Sequence, residues 1–231
     1  MALTRIGPNQ SVNLASNVTG TLPVGNGGIG IASGTTDQFL KFTGTTTLAS
    51  AADNAGSWVK ISTVTASSSG TLDFDNVAST YKAYAIVGTG ITPATADVLF
   101  QMNFGTDGSS YAINKTSIYY TAYNNTADND GALEKVQGYS LGNASGNQTL
   151  AAGVNGNTTH AKGITMFALF GGLAQGGYVS YNVTTNQFGH NNYTQQTVAA
   201  GQVMDEADCI RFLMSADTIS SGTFTLYGIL Q

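Results

Sequence analysis

From Trp58 onward, apolar and polar residues alternate in short runs, the period of two that sends successive side chains to opposite faces of a sheet. The runs predict strands over 58–66, 70–74, 81–89, 97–104, 117–123, 133–141, 164–170, 178–184, 193–199, 209–214 and 222–230. Val98, Phe100, Met102 and Phe104 fall on one face, with Leu99, Gln101 and Asn103 on the other. Ile210, Phe212 and Met214 oppose Cys209, Arg211 and Leu213 in the same way. Turn signals punctuate the runs, among them Thr106-Asp107-Gly108, Asn129-Asp130-Gly131, Gly142-Asn143 and Gly171-Gly172. Short helical turns are expected at 75–80 and 203–208, and no segment carries the period of a long amphipathic helix. About ten strands over about 170 residues predict an all-β fold of two packed sheets, a jelly-roll-like β-sandwich spanning residues 57–231.

Residues 1–56 obey a different rule. Gly and small polar residues dominate 17–30, and apolar side chains appear singly, in neither a helical nor an alternating period. Such a stretch buries too little apolar surface to offset the entropy of ordering its backbone. It is expected to be an extended Gly/Thr-rich segment that gains order by lying against a partner. A short β-like piece at 38–42 stands between Gly-Thr turns.

Composition narrows the function. Charged residues make up 9% of the 231, against about 25% in an ordinary soluble domain. Hydrophobic residues still make up 42%, so most of the chain is expected to fold. A net charge of −5 provides no basic field for phosphates, which argues against nucleic acid as a partner. No run of apolar residues predicts a secretory signal or membrane insertion, so folding in the cytosol is expected. Cys209, the single cysteine, has no second thiol with which to form an internal disulfide or a zinc site.

Motifs with a chemical look have plainer readings. Gly25-Asn26-Gly27-Gly28-Ile29-Gly30 matches the spacing of a dinucleotide loop, but Pro23 precedes it and no helix pattern follows, so no cofactor is expected. Asp128-Asn129-Asp130-Gly131 echoes a calcium loop. With Gly131 as the turn glycine, Thr126 and Gln137 occupy the first and last ligand positions, and the register fails. Asp205, Glu206 and Asp208 read as soluble loop residues before a strand. His160 and His190 sit in Asn- and Gly-rich loops, and neither a nucleophile elbow nor an acid pair is visible, so a non-enzymatic protein with no resident metal is expected. The tyrosines are more suggestive. Tyr119, Tyr120 and Tyr123 crowd one strand, and Tyr193 lies close to Asn- and Gln-rich loops, so some rings should face outward beside amides. Rings with amide neighbours can stack on sugars and hydrogen-bond their hydroxyls, and they can equally serve as cross-strand packing. The candidate binding residues are Tyr119, Tyr123, Asn124, Tyr193, Asn191 and His190.

The run Gly20-Thr21-Leu22-Pro23-Val24-Gly25-Asn26-Gly27-Gly28-Ile29-Gly30 resembles the G-T-L-P-x-x-N-G-G-T-G segment of bacteriophage tail-fibre and other virion proteins, with Ile29 in place of Thr. The ending Ser221-Gly222-Thr223-Phe224-Thr225-Leu226-Tyr227-Gly228-Ile229 is similar to the close of β-sandwich domains in phage structural proteins. The resemblance implies a virion location and a homotrimer docked on other virion proteins by its N-terminal segment, through Leu14, Val18, Leu22, Pro23, Val24 and Ile29. It also implies a projecting β domain. A tail fibre or fibre tip contacting a host-surface glycan is the leading expectation. A capsid decoration or head-fibre protein is the second, and a glycan depolymerase, which would need paired carboxylates, the third.

Overall fold

The computed structural model describes residues 38–42, 48–51, 58–154, 163–188 and 193–230. Chain contacts divide the protein into two units, Met1–Gly56 and Ser57–Gln231. In the first, Phe39–Phe42 (β1) and Leu48–Ala51 (β2) pair antiparallel, with Phe39, Leu40 and Phe42 exposed. The docking residues Leu14, Val18, Leu22, Pro23, Val24 and Ile29 lie outside the described residues, as does His160.

The second unit is built from two antiparallel sheets. Its strands are β3 (Trp58–Ser69), β4 (Thr71–Phe74), β5 (Ala83–Pro93), β6 (Val98–Gly105), β7 (Lys115–Asn125) and β8 (Gly131–Lys135), then β9 (Gln148–Val154), β10 (Ile164–Gly171), β11 (Val179–Phe188), β12 (Tyr193–Val203), β13 (Cys209–Met214) and β14 (Ile219–Ile229). The larger sheet has the order β3-β14-β5-β10-β11-β12-β7-β8 and the smaller β4-β13-β6-β9. Each strand of the small sheet is both preceded and followed in the chain by a strand of the large one, while the pairs β11–β12 and β7–β8 extend the large sheet beyond β10.

Alternation in the sequence becomes alternation in burial. Along β10, Ile164, Met166, Ala168 and Phe170 are buried while Thr165, Phe167 and Leu169 are exposed. The buried faces of the two sheets meet in one core. Phe104 of the small sheet packs on Phe170 and Tyr181 of the large one, with ring centroids 6.1 and 5.4 Å apart. Phe100 and Phe212 of the small sheet pack on Phe224 of the large one.

Polar residues inside the sandwich have a definite task. β9 is an edge strand, bonded to β6 on one side only, and a free edge leaves backbone groups without partners. The large sheet supplies them. Thr185 on β11 and Thr197 on β12 both donate to the Leu150 carbonyl, and Gln187 Nε2 donates to the Ala152 carbonyl at 2.6 Å. The Tyr181 hydroxyl donates to Gln148 Oε1 at 3.1 Å. Replacing Thr185 with valine, which keeps the shape, leaves Leu150 one donor and is expected to cost about 1 kcal/mol; Thr185→Val with Thr197→Val orphans that buried carbonyl and should cost about 2–3 kcal/mol. Urea unfolding of the single and double variants measures both, and a double variant as stable as wild type would refute this role for the pair.

On the outer face of the small sheet, Arg211 clamps three segments. Its Nε and Nη2 donate to the two carboxylate oxygens of Asp73 on β4, at 2.8 and 2.7 Å. The guanidinium lies 3.8 Å from the ring centre of Tyr111, whose hydroxyl donates to Asp75.

Three local expectations differ from the structure. The run 133–141 is not one strand: β8 ends at Lys135, and Gln137–Tyr139 forms a 3-10 turn after Val136 donates its N–H to the Tyr119 carbonyl. The segments 75–80 and 203–208 are not helical turns but irregular links, joined where Val77 N–H donates to the Asp208 carbonyl at 2.9 Å. Strand β9 falls in a stretch with no strand expectation.

Candidate functional site: a tyrosine and carboxylate cleft

Strands β7 and β12 pair so that Gln195 lies opposite Tyr123 and Tyr193 opposite Asn125. Tyr123 and Tyr193 are therefore diagonal neighbours on one face of the ladder, within reach of each other as large side chains. Their ring centroids are 5.5 Å apart and the planes nearly perpendicular, at 84°. That face is the inner one. Tyr123 alternates into line with buried Tyr119 and Thr121, and Tyr193 and Gln195 with buried Thr197 and Ala199. The rings escape full burial because cover from the small sheet ends beside them, at Ala152 and Gly153 of β9.

The resulting cleft has a volume of about 350 Å³ and is lined by Asp97, Tyr123, Asp130, Glu134, Ala152, Gly153, Tyr193 and Gln195. Each acidic group arrives from a different element. Glu134 stands on β8 opposite Thr121. Asp130 belongs to the β7–β8 turn, and its Oδ2 accepts the Tyr193 hydroxyl proton at 2.6 Å. That bond is the main reason the Tyr193 hydroxyl is held above its ordinary pKa. Asp97 sits in the β5–β6 turn in the left-handed region, at φ 64°, with its N–H donating to the Val154 carbonyl. Behind Gln195, in register on β11, Gln187 donates to Gln195 Oε1 at 2.6 Å, which orients that amide. Gln187 is 6% exposed, and its Oε1 has no hydrogen-bond partner among the described residues.

The turn that carries Asp130 is laced by its own side chains. Asn124 Nδ2 donates to Asp128 Oδ1 at 2.7 Å, Asn125 Nδ2 to Asn129 Oδ1 at 2.6 Å, and Asn125 N–H to the Asp130 carbonyl at 2.9 Å. The Asx residues that echo a calcium loop are thus holding a hairpin turn. Among the described residues, no three His, Cys, Asp or Glu side chains are grouped to hold a metal ion.

Of the residues singled out from sequence, Tyr123 and Tyr193 meet in this cleft, and Asn124 braces the turn at its rim. Tyr119 lies in the core, 1% exposed, with its ring edge-on to Tyr139, and burial pushes its hydroxyl pKa up. His190 and Asn191 lie outside the described residues. Sequence reasoning did not assign Asp97, Glu134, Gln187 or Gln195 to the site. Gln195, two residues from Tyr193 and so on the same face, had a legible signal, whereas Asp97 comes from a turn remote in the chain. A larger hollow of about 460 Å³, bordered by Thr106, Asn114, Asn143 and Asp205, contains no aromatic ring. Cys209 is buried, and desolvation pushes its thiol up to about 11, so it is no nucleophile at neutral pH.

The class defined by fold and site is an antiparallel β-sandwich with an open aromatic and carboxylate cleft at one end of its larger sheet. No protein-family model, curated protein or solved structure matches the chain. No helix among the described residues is long and apolar enough to cross a membrane.

Proposed function

We propose that the chain is a non-enzymatic bacteriophage virion protein, a trimeric tail fibre or fibre tip that docks by residues 1–56 and contacts a host-surface glycan with its β domain. The observation that carries the glycan contact is the Tyr123–Tyr193 pair in an open cleft bordered by carboxylates and the Gln195 amide. A pyranose has apolar C–H faces that rest on aromatic rings and hydroxyls that bond to carboxylates and amides, and this cleft has both. The strand succession supports the finer fold. Setting aside the hairpins β7–β8 and β11–β12, β3-β14-β5-β10 and β4-β13-β6-β9 remain, two interleaved four-stranded sheets as in a jelly roll.

Self-association is supported by the outer face of the large sheet. Trp58 stacks on Phe167 and meets the edge of Tyr227, with centroids 5.9 and 5.6 Å away, and Leu169, two residues from Phe167 on β10, is exposed on the same face. The same face favours the second reading, a capsid decoration or head-fibre protein, because it can lie on a shell as well as on a sister subunit.

Glycan-array and cell-binding measurements on the purified protein test the first reading. Saturable binding is expected, with Tyr193→Ala and Tyr123→Ala each weakening it about ten-fold or more. No binding, together with lost capsid thermostability and unchanged adsorption when the protein is deleted, would favour decoration. Release of reducing sugar would overturn the non-enzymatic assignment.

A further inference from the structure

We propose that the Tyr123–Tyr193 cleft selects amino sugars: a pyranose seated against the tyrosine rings, with its free ammonium turned to the carboxylates of Asp97, Asp130 and Glu134. This rests on the glycan reading above and names the class of sugar.

The charge around the cleft is one-sided. Among the described residues its lining holds three carboxylates and no Lys, Arg or His. The salt bridge among the described residues, Arg211 with Asp73, involves none of them. Asp130 spends one oxygen on the Tyr193 hydroxyl, and the side chains of Asp97 and Glu134 make no hydrogen bond among the described residues. An ammonium ion entering here meets carboxylates that have no basic partner among the described residues, beside two tyrosine rings, the two attractions that concentrate organic cations. A uronic or sialic acid meets like charge, which rejects it.

The remaining polar groups suit the sugar ring. Gln195 Oε1 is taken up by Gln187, which leaves the Gln195 Nε2 as a donor for a ring hydroxyl. The buried Gln187 Oε1, behind Gln195 in register on β11, is an acceptor without a donor among the described residues. The carboxylates come from the β5–β6 turn, the β7–β8 turn and β8, so they reach the cleft from three elements rather than from one loop.

Saturation-transfer NMR and calorimetric titration of the full chain with the methyl glycosides of glucosamine, N-acetylglucosamine, glucose and glucuronic acid decide the matter. The free-amine glycoside is expected to bind about ten-fold or more tightly than the N-acetylated and neutral ones, with glucuronide not bound. The advantage should collapse in high salt and in Glu134→Gln and Asp97→Asn, two substitutions at exposed turn or edge-strand positions, because the amine glycoside loses far more affinity than the neutral one, which offers the carboxylates only hydroxyls. Equal binding of amine and N-acetyl forms would overturn the selectivity and leave the glycan reading standing. Binding of none of the four would count against the glycan reading itself. An amine preference that survives both substitutions would place the cation elsewhere and overturn this assignment.

Discussion

Phe212→Ala is expected to destabilise the β-sandwich by about 3–5 kcal/mol, the range for removing a fully buried aromatic ring from a packed core. Phe212 has no exposed surface and sits on β13, flanked by β4 and β6 in the small sheet. Its ring stacks on Phe100 at 5.9 Å and 17°, meets Phe74 at 90° and lies 5.2 Å from Phe224. The first two contacts are within the small sheet and the third crosses to β14 of the large one. Truncation therefore opens a void where the two layers are joined, and neither sheet can collapse into it without losing register. For a domain of this size the loss should lower Tm by about 10 °C. Phe212→Leu, which keeps most of the volume, should lose much less, about 1–1.5 kcal/mol. Guanidinium unfolding of the three proteins gives both differences. A loss under about 1 kcal/mol for the alanine variant would mean the layers are not held together here.

The second large effect belongs to Lys115, which is fully buried and has no salt bridge to a carboxylate among the described residues. Its Nζ donates to Asn103 Oδ1 at 2.6 Å and to the Ile113 carbonyl at 2.8 Å, so it fastens the β6–β7 link beneath the segment that leads into β9. Desolvation without a countercharge pushes the ammonium down from 10.5 to about 8. Between those values the unfolded chain holds a proton that the folded chain has released. Stability from this group therefore rises with pH from about 8 to about 10.5, by up to about 3 kcal/mol. Other groups work against it in the whole protein. Burial pushes Cys209 from 9.0 up to about 11 and raises Tyr119 and Tyr181, so their contribution falls as alkaline pH ionises the unfolded chain. The clean observable is the difference between wild type and Lys115→Met, from urea unfolding at pH 7 through 9.5. Wild type should gain on the variant by about 2 kcal/mol across that range. A difference flat with pH would show that the ammonium stays charged in the fold.

Much of this architecture is legible in the chain because it depends on side-chain period alone. Val98 to Met102, Ile210 to Met214 and Ile164 to Phe170 alternate in sequence and in burial, so they announce strands and an inward face. β9 was illegible for the opposite reason. Gln148 and Thr149 are polar yet buried, which an apolar pattern cannot reveal; Gln148 is held by Tyr181, a partner 33 residues away. The run after Leu133 reads as a continuing strand, but it ends where Val136 finds a backbone acceptor in Tyr119, and no local propensity encodes that acceptor.

The cleft divides along the same line. Tyr123 and Tyr193 carry a visible signal, since aromatic residues beside amides on strands must either pack or project. Which of the two happens is a matter of cover. Tyr119, four residues before Tyr123 on the same face, lies under the small sheet, and Tyr123 lies past its end. By itself the sequence determined the all-β class, the alternation that builds the core and the lack of a basic field, because these follow from local period and composition. Tertiary structure alone decided which rings stay open, which carboxylates line the cleft with them and where a lysine is buried. Those outcomes depend on which distant strands become neighbours, and hence on where one sheet stops covering the other.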